Sequence, residues 1–133
     1  MAKILIVEDE KAMSDLVAVK FQVEGFEVVQ AFSIAEAKEK FNSAGPFDVV
    51  LTDYLLPDGE LVEFLTNIQP VVTTKHIPIV VMTNYIEDLN QDQLKALGAV
   101  DFLVKYQVVP AQMAEKIKTI LAQAPQASPT TQP

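Results

Sequence analysis

The chain has 133 residues, half of them hydrophobic, which suits one domain with a real core and argues against disorder throughout. It has no cysteine, which excludes disulfides, zinc–thiolate sites and cysteine nucleophiles. The formal net charge is -8, and all ten basic residues are scattered lysines, which argues against direct binding of nucleic acid.

The start, MAKILIVEDE, has an apolar run too short for a signal peptide, and no stretch reaches the about 20 apolar residues of a membrane span. The expectation is a cytoplasmic protein without a membrane partner. Ile4 to Val7 is wholly apolar and branched, as in a strand buried on both faces. Glu8, Asp9 and Glu10 end it. Met13, Leu16, Val17 and Phe21 then recur at helical spacing, with Gly25 as a stop. Glu27 to Phe32 is a second strand candidate. Ser33 followed by Glu36 is a capping-box pattern that opens a second helix with Ala37 and Phe41 on its apolar face, closed at Gly45-Pro46.

Phe47 to Thr52 is the third strand, and Pro57-Asp58-Gly59 turns the chain after Asp53. Leu61, Phe64, Leu65 and Ile68 predict a third helix that ends before Pro70, leaving Val71 to His76 as loop. His76 reads as an exposed loop residue. Ile77 to Met82 is the fourth strand. Leu89, Leu94 and Leu97 mark a polar-rich fourth helix stopped by Gly98, and Val100 to Val104 is the fifth strand. Pro110 fits the first turn of a last helix with Met113, Ile117, Ile120 and Leu121 on its face. From residue 123 to residue 133 the composition is that of a disordered tail or linker. The pattern is an α/β domain over 1–122, five βα units on a parallel five-stranded sheet, with the expectation that no second domain follows in this sequence, be it a stand-alone protein or a fragment that ends in its linker.

Ligands of an open α/β sheet bind outside the carboxyl ends of the strands, where the strand order reverses. In the order 2-1-3-4-5 that point lies between the first and third strands. Glu8 and Asp9 leave the first strand there and Asp53 leaves the third. Three carboxylates so close repel one another unless a cation intervenes, and a hard divalent ion with oxygen ligands, Mg2+, is the natural answer. Thr83 follows the fourth strand and Lys105 the fifth. A hydroxyl and an ammonium beside a metal and a carboxylate make a site for a phosphoryl group, with Asp53 as nucleophile. Alone, each residue has an ordinary explanation as a cap, a strand end or a solvated lysine. Together, at successive strand ends, they point to one site.

Four segments, ILIVEDE, DVVLTDYLLPDG, IPIVVMT and GAVDFLVK, resemble in order and spacing the motifs of the receiver domain of two-component response regulators. The resemblance covers about residues 3 to 122. It implies a flavodoxin-like sandwich and Mg2+-dependent phosphoryl transfer from the phosphohistidine of a histidine kinase or phosphotransfer protein to Asp53. It further implies metal binding by Glu8, Asp9, Asp53 and the backbone carbonyl of Leu55. Thr83 takes the place of the switch hydroxyl, Lys105 that of the phosphate-pairing lysine, and Phe102 that of the switch aromatic. The output is then a contact with a downstream protein through the face of the fourth helix, fifth strand and fifth helix, and the family also admits homodimers. Such a chain is a signalling receiver rather than an enzyme: it assists its own phosphorylation and dephosphorylation, and Leu55 stands where an aspartate-nucleophile phosphohydrolase carries its acid/base carboxylate.

Three positions depart from the family pattern. Tyr106 follows Lys105 where proline is usual, Asn84 follows Thr83 where a small residue is usual, and Leu61 replaces a glycine. The first two leave open an alternative, a degenerate receiver that serves as a constitutive interaction module. A flavin or nucleotide module is disfavoured, since no glycine-rich loop follows the first strand.

Overall fold

The computed structural model describes residues 1–84, 86–105 and 107–123. In chain order the elements are β1 (Lys3–Val7), α1 (Lys11–Val23), β2 (Glu27–Ala31), α2 (Ile34–Ser43) and β3 (Val49–Asp53). Next come a small hairpin of β4 (Leu55–Leu56) and β5 (Gly59–Glu60), α3 (Leu61–Lys75), β6 (Ile79–Thr83), a 3-10 turn (Ile86–Asp88), α4 (Gln91–Ala96), β7 (Ala99–Val104) and α5 (Pro110–Gln123). The main sheet runs β2-β1-β3-β6-β7, all parallel, so the expected order 2-1-3-4-5 is the observed one, β6 and β7 being its fourth and fifth strands.

The apolar runs explain the central positions. Every residue of β3 and β6 is buried, as is β1 from Ile4 onward, because helices cover both faces. Side-chain alternation splits the interior in two. Leu5, Val7, Val50 and Val81 pack with α2, α3 and Leu94 of α4; Ile4, Ile6, Val49, Leu51, Val80 and Met82 pack with α1 and α5. The half-exposed β2 and β7 are the edges. A register shift between Ile79 and Val80 accommodates Val100 as an extra residue in β7.

Helix α1 ends as its glycine predicts. Gly25 has φ 95°, its N–H donates to the Gln22 carbonyl, and the Phe26 N–H donates to the Phe21 carbonyl. The rings of Phe21 and Phe26 then meet edge to face at 4.9 Å, the apolar contact that accompanies this closure. The buried face of α1 is Ser14, Val17, Ala18 and Phe21. Leu16 does not belong to it: it is 59% exposed, because the parallel sheet is covered by one narrow stripe of this helix.

Helix α3 runs through Pro70 to Lys75, where the expectation ended it earlier. Val72 continues the buried stripe of Leu61, Phe64, Leu65 and Ile68, and Pro70 lies on the exposed face, where water can take the carbonyl it frees. Burial of Val72 thus outweighs the local cost of proline. His76, exposed as expected, closes the helix in the left-handed region at φ 56°, and Ile77 N–H donates to the Val72 carbonyl. Leu61, the departure from glycine, is a core residue at the start of this helix. Helix α5 extends to Gln123, the first residue of the expected tail; residues 124–133 lie outside the described ones, as do Tyr85 and Tyr106.

Glu24 clamps the end of α1 to α5, pairing with Lys20 at 2.8 Å and with Lys118. Lys118 first, and Lys20 with it, hold the Glu24 carboxyl down from 4.5 to about 2. Because the folded value is depressed, the clamp stabilises above the unfolded value and is lost as pH falls through the window from 4.5 to about 2. Glu24→Gln is expected to flatten the melting temperature against pH across that window, by a small amount since the pair is at the surface. An unchanged slope would remove the clamp from the account of acid stability.

Candidate functional site

All strands of a parallel sheet end on one edge, and here the order reverses between β1 and β3, which opens a crevice outside their carboxyl ends. Four strand ends bring the expected residues there. Glu8 and Asp9 follow β1, Asp53 is the last residue of β3, Thr83 the last of β6, and Lys105 follows β7. Glu8, Asp53, Thr83 and Lys105 are all buried, while Asp9 is exposed at the rim.

The backbone sets this geometry. The Glu8 N–H donates to the Ala31 carbonyl at 3.0 Å, which continues the β1–β2 ladder beyond the strand. The Tyr54 N–H donates to the Met82 carbonyl at 2.8 Å, and the Lys105 N–H to the Thr83 carbonyl at 2.9 Å. Glu8, Asp53, Thr83 and Lys105 are therefore carried on hydrogen-bonded strand ends, with Asp9 in the bend that follows.

The side chains form a compact ionic cluster. Lys105 Nζ is 2.9 Å from Asp53 Oδ2 and 2.8 Å from Glu8 Oε1. One carboxylate oxygen from each of Glu8, Asp9 and Asp53 lies within 4.8 Å of the others. Glu8 Oε2 accepts from the Glu10 N–H at 3.0 Å. Glu8 Oε1 is buried and, despite the nearby ammonium, accepts no aligned hydrogen bond among the described residues. One ammonium shared between two buried carboxylates leaves the cluster short of positive charge, which a hard cation would supply.

Electrostatics follow from this packing. Burial pushes the Glu8 carboxyl above its usual range; Lys105 and the Glu10 N–H pull it back, and the Asp53 charge adds to the rise. Burial works downward on Lys105, but its contacts with Glu8 and Asp53 outweigh that and raise it, so it stays an ammonium. Three carboxylates against one ammonium leave two formal negative charges in the crevice, which one divalent cation cancels. The donors are hard oxygens, the set that Mg2+ or Ca2+ prefers.

Of the remaining expected residues, Leu55 follows next but one after Asp53. Its side chain is exposed, and its N–H lies 3.4 Å from Asp53 Oδ1, a long contact. Phe102 sits half-buried in β7, paired with Val81 and packed on the α2–α3–α4 side. It is near the cluster in sequence but not part of it. Asn84 is exposed beyond Thr83. Asp58 stays out of the carboxylate cluster, as its turn position implies. The Glu8–Lys105 contact escaped sequence reasoning, which gave the lysine only to a phosphate; the signal available was a second acid at the mouth of the strand beside β3.

Comparison with known proteins gives the same placement. Residues 4–118 match the family model of the response regulator receiver domain. The phosphate regulon transcriptional regulatory protein PhoB of Escherichia coli (strain K12) is 30% identical over 121 residues, 90% of this chain and 51% of that protein. The chain thus spans about half the length of the curated relatives it matches. A CheY-like response regulator receiver domain protein from Methanospirillum hungatei JF-1 is similar with a TM-score of 0.81 and 30% identity, covering 92% of this chain and 95% of that one. The chemotaxis response regulator CheY4 of Vibrio cholerae gives 0.80 and 28%, covering 90% and 98%. With strand order, crevice and family model in agreement, the chain belongs to the response regulator receiver domains, the signalling modules of two-component systems.

Proposed function

We propose that this chain is a phosphoacceptor receiver in which Asp53 takes a phosphoryl group from a phosphohistidine. The observation that carries the reading is the buried Asp53 carboxylate held 2.9 Å from the Lys105 ammonium, in a cluster of three carboxylates whose oxygens lie within 4.8 Å of one another. A carboxylate oxygen of Asp53 attacks phosphorus, the P–N bond to the imidazole breaks, and the leaving nitrogen keeps the electron pair. Lys105 Nζ turns from a carboxylate partner to a phosphoryl partner, and Thr83 supplies a hydroxyl on the same edge.

Glu8, Asp9, Asp53 and the Leu55 carbonyl would hold Mg2+, Asp9 directly and Glu8 through water. A bound Mg2+ supplies charge neutralisation on the transferring group. The new dianion is the switch signal: Thr83 moves toward it, Phe102 turns into the vacated space, and the face of α4, β7 and α5 changes for a downstream protein. Mixing the chain with acetyl phosphate and Mg2+ is expected to add one phosphoryl group to the intact mass. No gain under forcing conditions would leave the degenerate receiver as the better reading.

A phosphodonor protein must dock over this edge, and α1 starts there. Leu16, Val19 and Val23 of α1 are 59%, 58% and 73% exposed and lie on one helical stripe with the exposed Ala12. That stripe points away from the buried face and offers an apolar landing strip to the helices of a kinase. Leu16→Glu is expected to slow phosphorylation by a histidine kinase that uses this chain by about tenfold, the equivalent of ~1.4 kcal/mol of docking energy. Phosphorylation by acetyl phosphate should be unchanged, because the small donor needs no docking. Equal slowing with both donors would move the effect from docking to the site.

A further inference from the structure

The hairpin of β4 and β5 leaves Asp53 directly, yet little in it explains its position. Only Leu55–Glu60 and Leu56–Gly59 pair, and a two-pair hairpin does not hold itself in water. Leu55 is 67% exposed, so its side chain is no anchor, while Leu56 is half-buried against the core. The polar anchor is Asp58, at the turn. Its Oδ1 accepts from the Ile34 N–H at 2.8 Å and its Oδ2 from the Ala35 N–H at 3.0 Å. These are the first two orphan donors of α2; the Glu36 N–H is taken by Ser33 Oγ at 3.1 Å. The backbone bonds from Ala35 and Ile34 hold the Asp58 carboxyl below its ordinary range, so it is ionised and matched to the positive end of the helix.

The hairpin also touches α2 by shape. A side chain at Gly59 would meet Ile34 Cδ1 at 3.2 Å, so the turn lies against the first residue of the helix. Helix α2 is itself fixed, since Ile34, Ala37 and Phe41 are in the core. One path of restraint, beside the direct packing of Leu56, therefore runs from the core through α2 to Asp58, and from there along the hairpin to the residues beside Asp53.

We propose that Asp58 is a positioning residue of the metal site, pinning the hairpin to α2 so that the Leu55 backbone is held in place for the cation that the carboxylate cluster would bind. This rests on the assignment of Leu55 and the carboxylate cluster to Mg2+ given above. Asp58 touches neither metal nor phosphate; it acts through the five-residue reach of backbone from Asp53.

The test compares Asp58→Ala, Asp58→Asn and Ser33→Ala in the full chain. Ser33→Ala removes a cap from the same helix end without touching the hairpin. Mg2+ affinity is read by calorimetry, hydrogen exchange of the amides of residues 55–60 without metal, and melting temperature alongside. Asp58→Ala is expected to raise the Mg2+ dissociation constant about tenfold, the lower end of what loss of a supporting contact outside the ligand set costs a metal site. It should also speed exchange in the hairpin. Asp58→Asn, which keeps one acceptor oxygen, should fall between it and the parent. Ser33→Ala should lower the melting temperature with Mg2+ affinity unchanged. If Ser33→Ala and Asp58→Ala weaken Mg2+ alike, Asp58 is only a helix cap and the proposal fails. It fails too if the parent binds Mg2+ and Asp58→Ala binds it equally. A parent chain that binds no Mg2+ would overturn the metal reading itself.

Discussion

Replacing Lys105 by methionine is expected to destabilise the metal-free chain by about 3 kcal/mol, the lower end of the cost of removing one member of a buried ion pair. Methionine keeps most of the unbranched stem and loses the ammonium, so packing changes little. What is left behind is Glu8, fully buried, its Oε1 stripped of the ammonium that stood 2.8 Å away and with Asp53 and Asp9 beside it. The lower end applies because Asp9 is exposed and water reaches that side of the cluster. The loss depends on pH with a definite sign. Burial already raises the Glu8 carboxyl above 4.5, and removing the lysine takes away a contribution that lowers it. The folded variant then keeps a proton that the unfolded chain gives up. The penalty is small below 4.5, where both states are protonated, and grows as pH rises through the raised value. Urea denaturation of parent and variant near pH 5 and near pH 8 measures this. Equal losses at both would reject unpaired charge as the cause. Saturating Mg2+ should restore more stability to the variant than it adds to the parent, since it replaces the missing positive charge.

Asp53→Asn is expected to abolish the gain of a phosphoryl group from acetyl phosphate while leaving the fold intact. The amide oxygen carries no negative charge, so the group that would form the P–O bond is gone, and no other carboxylate of the cluster ends β3 beside the Lys105 ammonium. Lys105 keeps Glu8 as a partner at 2.8 Å, and one like charge leaves the crevice, so stability should stay within about 1 kcal/mol of the parent. Intact mass with a melting curve on the same sample separates lost chemistry from lost structure. A variant that still gains a phosphoryl group would move the acceptor to Asp9 or Glu8 and break the proposed roles.

The architecture was legible because its signals are local and repeated. Apolar runs such as Ile4 to Val7 and Val49 to Leu51 are what strands covered on both faces require, and acids, a threonine and a lysine at successive strand ends need only the parallel sheet to meet. The rest depended on contacts distant in sequence. Proline at position 70 signals a stop, but the burial of Val72 against the core, decided by tertiary packing, carries the helix through it. Helical spacing puts Leu16 with the core residues, but it does not say which of two apolar stripes faces the sheet. The capping pair at α2 shows the limit well. Ser33 and Glu36 announced the helix start, but Glu36 Oε1 accepts from Phe32 N–H, and the first two donors go to Asp58, 23 and 24 residues away. Nothing in the spacing of a Pro-Asp-Gly turn tells of that partner.

One residue reaches across most of the crevice: Lys105 joins the Thr83 carbonyl through its backbone and Glu8 and Asp53 through its side chain. Its contact with Asp53 spans 52 residues of chain, and Lys105 comes after the last strand of the sheet. The pocket therefore cannot be complete until that edge strand has docked. A nascent or partly unfolded chain carries Asp53 without its counter-ion, and under the proposed role it would not accept a phosphoryl group. If Asp53 is the acceptor, responsiveness is coupled to completed folding, a form of proofreading in which the last strand to join the sheet completes the site.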